Sequence, residues 1–281
     1  MASSSLVVIR YKNASSFFEA THTQLEKLEA MHSFPLWAAS ELSKSELGHS
    51  YCGAVWNDSE CVFAIVGFDN GNIFPTQSTN RLAIRLLLQD MIQTPLSIQG
   101  MMAYNPCVDI VLDLWPEATH PFKSHRSLWS YELRELSGTA TGRLRLATLD
   151  DLPLLLRWML GFHEESFGYT PSDEQLQKQC LQLVETRSTF MWSQDDFPIA
   201  MVATRRILRH GCSIGYVYTP IEQRRQGYAT AAVRTICAKL LKTFSYVTLI
   251  VDGIHPRDDN LYTRVGFRYI GSVAHYECQH E

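Results

Sequence analysis

The chain has 281 residues, of which 46% are hydrophobic and 19% are charged, and its formal net charge is −4. This length suits two compact α/β units, and the composition is that of an ordinary globular protein. The negative charge disfavours nonspecific binding to nucleic acid, so no nucleic-acid partner is expected. Because the chain shows no basic-then-apolar leader and no membrane-length apolar run, we expect no membrane partner and a cytoplasmic location.

The seven cysteines are scattered along the chain and include no Cys-x-x-Cys pair. This arrangement predicts neither a disulfide framework nor a zinc site, and we expect no bound metal. Several cysteines lie in apolar runs, where they are expected to be small core residues rather than thiolate nucleophiles.

The first half of the chain alternates between strand and helix patterns. The order predicted from these patterns is β-α-α-β-β-β-α-β-α-β. The elements are strand 6–10, helices 17–28 and 34–42, strands 51–56, 61–68 and 73–74, helix 81–92, strand 96–99, helix 107–114 and strand 128–133.

A small, polar run at 137–142 has no apolar anchors and is the predicted linker. It separates an expected first domain at 1–136 from a second at 143–281. The second domain resumes the alternation, with a turn predicted at 194–196. Its elements are strand 143–147, helices from 150 and over 172–186, strands 189–192, 199–207 and 213–218, a long helix after 227, strand 247–251, a short helix near 261–265 and strands 267–270 and 274–278.

The stretch 214–230 reads as a strand, a loop and the entrance to the long helix. Backbone N–H groups in a first helical turn lack intrahelical partners and can hold a phosphate. Gly227 has no Cβ and lets a pyrophosphate approach the main chain, and Ala229 keeps the next exposed position small. Arg224 and Arg225 add positive charge for phosphate oxygens. The stretch lacks the ending of a P-loop and the glycine pattern of a dinucleotide fold.

The spacing Arg224-x-x-Gly227-x-Ala229 after a strand resembles the acyl-CoA pyrophosphate loop of GNAT superfamily N-acetyltransferases. A second signature, Leu261-Tyr262-x-x-Val265-Gly266-Phe267, resembles the short helix ending in Gly-Phe that GNAT enzymes place after their fifth strand. Physically, its glycine reads as a helix C-cap and its phenylalanine as a core anchor. The motifs cover about 143–278, whereas 1–136 matches by element order alone.

The resemblance implies an α/β fold of two tandem GNAT-like (acyl-CoA N-acyltransferase) domains. Each would be a mixed, mostly antiparallel twisted sheet flanked by helices. Where the first domain should carry its phosphate loop, residues 75–81 read Pro-Thr-Gln-Ser-Thr-Asn-Arg, without glycine. We therefore expect a degenerate first half followed by an intact second half, as in two-part GNAT proteins. A still-functional ligand site in the first half remains the alternative.

In the GNAT fold, the strand before the phosphate loop parts from the next strand, and pantetheine lies in the gap. By that resemblance, the main chain of 217–219 would bind pantetheine and the acetyl carbonyl, and N–H groups from 225 to 230 would bind pyrophosphate. The alternative for 217–219 is an ordinary buried strand. The candidate acetyl-CoA-binding residues are Val217, Tyr218, Thr219, Arg224, Arg225, Gln226, Gly227, Tyr228, Ala229, Thr230 and His255.

Tyr262 matches the tyrosine that often protonates the departing thiolate in this superfamily. A phenol with a pKa of roughly 10 can donate a proton to a thiolate and is neutral beforehand. The alternative is a core tyrosine with a satisfied hydroxyl. Seven residues earlier, where GNAT chains often carry a pantetheine-binding asparagine, this chain has His255. It could still hydrogen-bond or act as a base, or be a loop histidine without a catalytic role.

No general base is assigned from the sequence. Glu164 and Glu165 follow the first helix of the second domain, in a region that lines the acceptor pocket of related folds, but ordinary exposed carboxylates are favoured. Trp158, Phe162 and Trp192 could shape an acceptor pocket, although a place in the aromatic core is favoured.

The expected function is N-acetyltransferase activity, moving an acetyl group from acetyl-CoA to a primary amine of a small molecule or peptide by direct attack. Two alternatives remain open. One is a non-catalytic acyl-CoA-binding sensor or interaction protein, and the other is a transferase of a larger acyl group, similar to glycine N-acyltransferases. The sequence specifies neither the acceptor nor an oligomeric state.

Overall fold

The computed structural model describes residues 5–44, 50–116, 122–139, 142–194 and 197–278, with the backbone alone at 124 and 125. The chain forms two compact units, an N-terminal unit of residues 1–130 and 270–281 and a C-terminal unit of residues 131–269. These boundaries differ from the expected domains, because the C-terminal unit begins before the predicted linker and the last residues join the N-terminal unit. Residues 140 and 141 of the linker, and residues 195 and 196 of the predicted turn, lie outside the described residues.

The first half of the chain follows the predicted order of elements. They are β1 (Leu6–Arg10), α1 (Ala14–Leu25), α2 (Ser33–Leu42), β2 (Tyr51–Asn57), β3 (Glu60–Gly67), β4 (Asn72–Pro75), α3 (Arg81–Met91), β5 (Gly100–Tyr104), α4 (Cys107–Asp113) and β6 (Phe122–Leu133). Helix α3 shows why the pattern works, since its five buried residues recur at helical spacing and join the core of the N-terminal unit.

The second half also keeps the predicted order, with short 3₁₀ turns before two of its helices. The elements are β7 (Arg143–Leu146), α5 (Leu152–Phe167), α6 (Asp173–Glu185), β8 (Thr189–Gln194), β9 (Phe197–Ile207), β10 (Gly211–Tyr218), α7 (Tyr228–Leu240), β11 (Tyr246–Asp252), α8 (Leu261–Val265) and β12 (Arg268–Cys278). Among the described residues, no helix has the length and apolarity needed to cross a membrane.

Each unit has a mixed, mostly antiparallel sheet. In the N-terminal unit the strand order is β1-β2-β3-β4-β5-β12-β6, and β4 and β5 are parallel. In the C-terminal unit the order is β11-β10-β9-β8-β7, and β10 and β11 are parallel. Helices α5 and α6 contribute to a core with β8 and β9, whereas α7 packs against β7, β9, β10 and β11.

Two strands depart from the predicted bounds, and each contains a tightly packed glycine. The strand expected at 96–99 begins instead at Gly100, where a Cβ would lie only 2.7 Å from Oδ1 of Asn72 on the neighbouring strand. The strands expected at 267–270 and 274–278 form the single strand β12. Gly271 lies inside it, where a Cβ would lie 3.0 Å from the ring of Tyr104. Both glycines therefore permit close packing rather than a turn.

Candidate functional site

Strands β10 and β11 part from each other within the C-terminal unit. Their parallel pairing joins Gly211–Ser213 to Tyr246–Thr248, yet β10 continues to Tyr218 and β11 to Asp252. The pairing of β10 with β9 also shifts register after Gly215, around Tyr216, which has a left-handed φ of 49°. This bulge bends β10 and leaves a gap in which main-chain groups of both strands face an open edge.

The loop after β10 ends in a cluster of unused backbone donors. The N–H groups of residues 225–230 have no hydrogen-bond acceptor among the described residues, and the first helical bond runs from Ala231 N to Gly227 O at 3.0 Å. Arg225 and Gly227 take left-handed φ angles of 63° and 82°. This backbone turns successive N–H groups toward one side at the positive end of α7, which is a geometry that binds phosphate.

A cavity of about 400 Å³ opens at this helix entrance. The Tyr228 ring lies 5.6 Å from that of Trp192, and its hydroxyl donates to Gln226 Oε1 at 3.0 Å. A Cβ built on Gly227 would meet no atom within 4 Å, so the approach to the main chain is open. The cavity is lined by Thr139, Trp192, Gln194, Gln226, Gly227, Tyr228, Thr230, Ala231 and Arg234.

Arg224 does not point freely into solvent. Its Nη2 donates to both carboxylate oxygens of Glu165, at 2.8 and 2.7 Å, and its Nε donates to Thr219 O at 2.8 Å. The hydrogen bond to Glu165 is the main reason why the pKa of the Arg224 guanidinium is raised above its usual value. The Tyr218 hydroxyl also approaches Glu165 Oε1, at 3.4 Å. Arg224 thus ties the loop to α5, a contact that the sequence alone did not reveal.

The three predicted pantetheine-binding residues lie where β10 ends. Val217 and Tyr218 are half-buried in the parted end of the strand, beyond its pairing with β11. Thr219 is buried, and its Oγ1 has no hydrogen-bond partner among the described residues. A buried hydroxyl without a partner is costly, so this oxygen is a candidate contact for a ligand in the gap.

Tyr262 lies in α8, which is capped at both ends. The Asn260 side chain accepts from Tyr262 N at 2.8 Å, and Gly266 closes the helix with a φ of 116°. The half-buried Tyr262 ring lies 6.5 Å from Tyr131 and 6.1 Å, edge to face, from Phe267. Burial, followed by the neighbouring Tyr131 phenol, raises the pKa of Tyr262 to about 12. Its hydroxyl has no partner in the described part of the chain, so it is a neutral donor available to a ligand.

His255 lies at the surface in the segment between β11 and α8. Its backbone N–H donates to Asp252 O at 3.2 Å, which forms a tight turn directly after the parted strand. Asn260, two residues before Tyr262, instead caps α8 and donates to the Tyr131 hydroxyl at 2.9 Å.

The remaining aromatic and acidic candidates have distinct places. Trp158 and Trp192 are 6% and 3% exposed and belong to the core, although Trp192 also lines the cavity. Phe162 is partly buried and packs edge to face on Tyr216 at 5.3 Å. Glu164 accepts from Thr170 Oγ1 at 3.2 Å.

A polar chain behind the bulge was missed from the sequence. His163 is buried on α5, and its Nε2 lies 2.9 Å from Oε1 of Gln179 on α6. Nε2 of Gln179 in turn donates to the Tyr216 hydroxyl at 2.7 Å. These bonds hold the ring of Tyr216, whose backbone has a left-handed φ and whose ring centroid lies 4.2 Å from the guanidinium carbon of Arg205. Mid-helix glutamine carries no sequence signal for such a role.

The corresponding loop of the N-terminal unit has occupied donors. Thr76 N donates to Ala64 O, Gln77 N donates to His32 Nε2 at 3.1 Å, and the Asn80 side chain caps α3 by accepting from Ala83 N at 3.0 Å. Its own side chains and main chain thus take up several donors that an anion would need.

Residues 152–267 match the model of the acetyltransferase (GNAT) family. A search of curated proteins returns no match. Solved structures with similar folds include a GNAT-family acetyltransferase from Colwellia psychrerythraea, with 13% identity, a TM-score of 0.60 and coverage of 97% of this chain and 100% of that one. A GCN5-related N-acetyltransferase from Sphaerobacter thermophilus has 15% identity, a TM-score of 0.58 and coverage of 96% and 94%.

A third similar structure is a tandem GNAT protein from the clavulanic acid biosynthesis pathway, with 7% identity, a TM-score of 0.53 and coverage of 97% and 98%. At these identities the structures establish the fold, and the family model identifies the segment that carries the family sequence. Residues 152–267 therefore carry a GNAT family domain, and the chain as a whole has a fold similar to that of a tandem GNAT protein.

Proposed function

We propose that the C-terminal unit is an acetyl-CoA-dependent N-acetyltransferase that acts on a primary amine. The observation that carries the proposal is the row of unpaired N–H groups at 225–230, directly after the strand that parts from its neighbour. A diphosphate fits the unpaired N–H groups, and an extended arm that contains amides fits the edge of the parted strand. Acyl-CoA has both groups in the required order.

The residues around the gap have separate roles in this proposal. The main chain of Val217, Tyr218 and Thr219 would bind pantetheine and the acetyl carbonyl, with the Thr219 hydroxyl as a further contact. Hydrogen-bond donors aimed at the carbonyl oxygen stabilise the charge that develops there when the amine attacks. His255 lies beyond the parted end of β11 and would contact the pantetheine arm.

The loop supplies the pyrophosphate site. The N–H groups of Arg225, Gln226, Gly227, Tyr228, Ala229 and Thr230 would bind the phosphate oxygens, and Arg224 would add its charge. The open space beside Gly227 supports this assignment, since a phosphate can reach the main chain without displacing a side chain.

Tyr262 would donate a hydrogen bond to the departing thiolate. A raised pKa and an unpartnered hydroxyl support this role, because the phenol stays protonated and can donate its hydrogen bond to the sulfur. The amine attacks the thioester carbon directly, the C–N bond forms, the C–S bond breaks, and the nitrogen's proton is finally transferred to sulfur.

We further propose that the N-terminal unit is a degenerate copy without bound cofactor. Its loop donors at residues 76 and 77 are already bonded, and Asn80 caps the helix that would receive a phosphate. The seven unpaired cysteines support a reducing compartment such as the cytoplasm.

The test is CoA release from acetyl-CoA across a panel of primary amines, with longer and aromatic acyl-CoAs in parallel. Acetyl transfer to at least one amine supports the proposal. Binding without release for any amine would indicate a sensor, and preference for a bulky acyl group would indicate a larger-acyl transferase.

A further inference from the structure

The Arg224–Glu165 pair lies between the two parts of the proposed site. Arg224 is the last residue before the unpaired N–H groups, and Glu165 lies near the end of α5. The guanidinium donates to both carboxylate oxygens, at 2.8 and 2.7 Å. The Tyr218 hydroxyl lies 3.4 Å from the same carboxylate, at the parted end of β10. Glu165 is therefore a cation site beside the gap, filled by the protein's own arginine.

This pair is suited to exchange. The two side chains are 38% and 40% exposed, and ion pairs this exposed hold weakly. A pyrophosphate on the N–H groups of residues 225–230 would bring negative charge next to Arg224. A guanidinium binds phosphate oxygens in the same forked geometry in which it binds carboxylate oxygens. The phosphate therefore competes with Glu165 for Arg224.

We propose that Glu165 binds the acceptor's ammonium group once acyl-CoA has drawn Arg224 away. The inference rests on the proposed function, and it makes the acceptor a cationic primary amine that enters after the cofactor. The ammonium takes the place that the guanidinium leaves. Until then the site is closed to amines, because Arg224 fills it.

Glu165 then also serves the reaction as a proton acceptor. The bound ammonium loses one proton to solvent, and the neutral amine attacks the thioester carbon. As the C–N bond forms, the nitrogen becomes acidic and Glu165 takes its second proton. The C–S bond breaks with its electron pair on sulfur, and the proton passes from Glu165 through solvent to the thiolate. One ammonium and one acyl-CoA thus give one amide, one CoA thiol and one solvent proton.

The neighbouring carboxylate provides a matched control. Glu164 accepts from Thr170 Oγ1 at 3.2 Å. It precedes Glu165 by one residue on the same exposed helix end, so E164Q changes the local charge equally. Only E165Q removes the partner of Arg224.

The first experiment measures acetyl-CoA affinity by calorimetry. E165Q should lower the Kd about two- to fivefold by releasing Arg224, and E164Q should leave it unchanged. R224Q should raise the Kd, and the double variant should match R224Q, because Glu165 acts on the cofactor only through Arg224. An unchanged or higher Kd in E165Q overturns the exchange. Loss of binding in the wild type itself overturns the proposed function, and this inference with it.

The second experiment titrates n-butylammonium, the probe amine, against the protein with and without saturating CoA. The wild type should bind it about two- to fivefold more tightly with CoA, which is the same factor by which E165Q tightens cofactor binding, and R224Q should bind it without CoA. E165Q should lose this binding while E164Q keeps it. Equal binding by E165Q and E164Q overturns the assignment. So does an absence of binding to CoA-loaded wild type, since a bare carboxylate site should accept this simple ammonium.

Discussion

Replacing Tyr262 by phenylalanine removes one oxygen and little else. The ring keeps its neighbours Tyr131 and Phe267, at 6.5 and 6.1 Å, and the hydroxyl gives up no partner within the described residues. The variant should therefore fold with unchanged stability and bind acetyl-CoA with unchanged affinity. Its defect should lie in the chemical step alone.

The size of that defect follows from the pKa of Tyr262, which burial raises to about 12. A thiol has a reference pKa of roughly 8.5, so complete proton transfer from this phenol to a thiolate is unfavourable by roughly 5 kcal/mol. Tyr262 should thus stabilise the thiolate through a hydrogen bond. A bond to a charged group contributes about 1.5–3 kcal/mol, so Tyr262→Phe should lower kcat about 10- to 150-fold.

The assay follows CoA release at saturating substrates, beside calorimetry of acetyl-CoA. Tyr269→Phe is the control, since Tyr269 is 37% exposed in the same unit and has no role in the proposal. Because the pKa of Tyr262 is raised, the donor is lost only as the pH rises toward 12, and it should cause no fall in kcat below about pH 10. A kcat within twofold of wild type in Tyr262→Phe would refute the reasoning.

Three further substitutions test other parts of the C-terminal unit. Gly227→Ala adds a Cβ in open space but at a left-handed φ of 82°. Thermal unfolding should therefore show a free energy of unfolding about 1–2 kcal/mol lower, and calorimetry should show weaker acetyl-CoA binding. No change in either quantity would contradict the role of this glycine. Arg145 lowers the pKa of Asp151, so Asp151→Asn should reduce the free energy of unfolding by about 1–2 kcal/mol at pH 7. In urea unfolding this difference should fade as the pH falls below about 4, because the stabilisation is lost as the carboxylate protonates. A difference that does not depend on pH would contradict this. Gln179→Leu removes the hydrogen bond to Tyr216 and should lower the free energy of unfolding in urea by about 1–3 kcal/mol. An unchanged midpoint of the urea transition would contradict this.

Local patterns sufficed for the order of elements and for both signature loops. The helix entrance at Gly227 and the C-cap at Gly266 depend on neighbours within a few residues, so their left-handed backbone could be anticipated from sequence. The single strand β12 was predicted as two strands, because the packing reason for Gly271 inside it lies across the sheet, in the ring of Tyr104.

Contacts between distant segments could not be anticipated. Glu165 and Arg224 are 59 residues apart, and each alone looks like an exposed charge. Their pairing depends on how α5 packs against β10, which periodicity does not specify. The unpaired state of the loop donors was expected from helix geometry, whereas the occupied donors of the N-terminal loop depend on His32 and Ala64, far from it in sequence.

The central claim is that the entrance of α7 holds the acyl-CoA pyrophosphate. Calorimetric titration with acetyl-CoA, comparing the wild type with Gly227→Glu, tests it most directly. The glutamate would set a negative charge among the unpaired N–H groups and exclude the phosphates. We expect one site per chain in the wild type and none in the variant. A wild type that does not bind, or a variant that binds equally well, would contradict it, and two sites would show that the N-terminal unit is not degenerate.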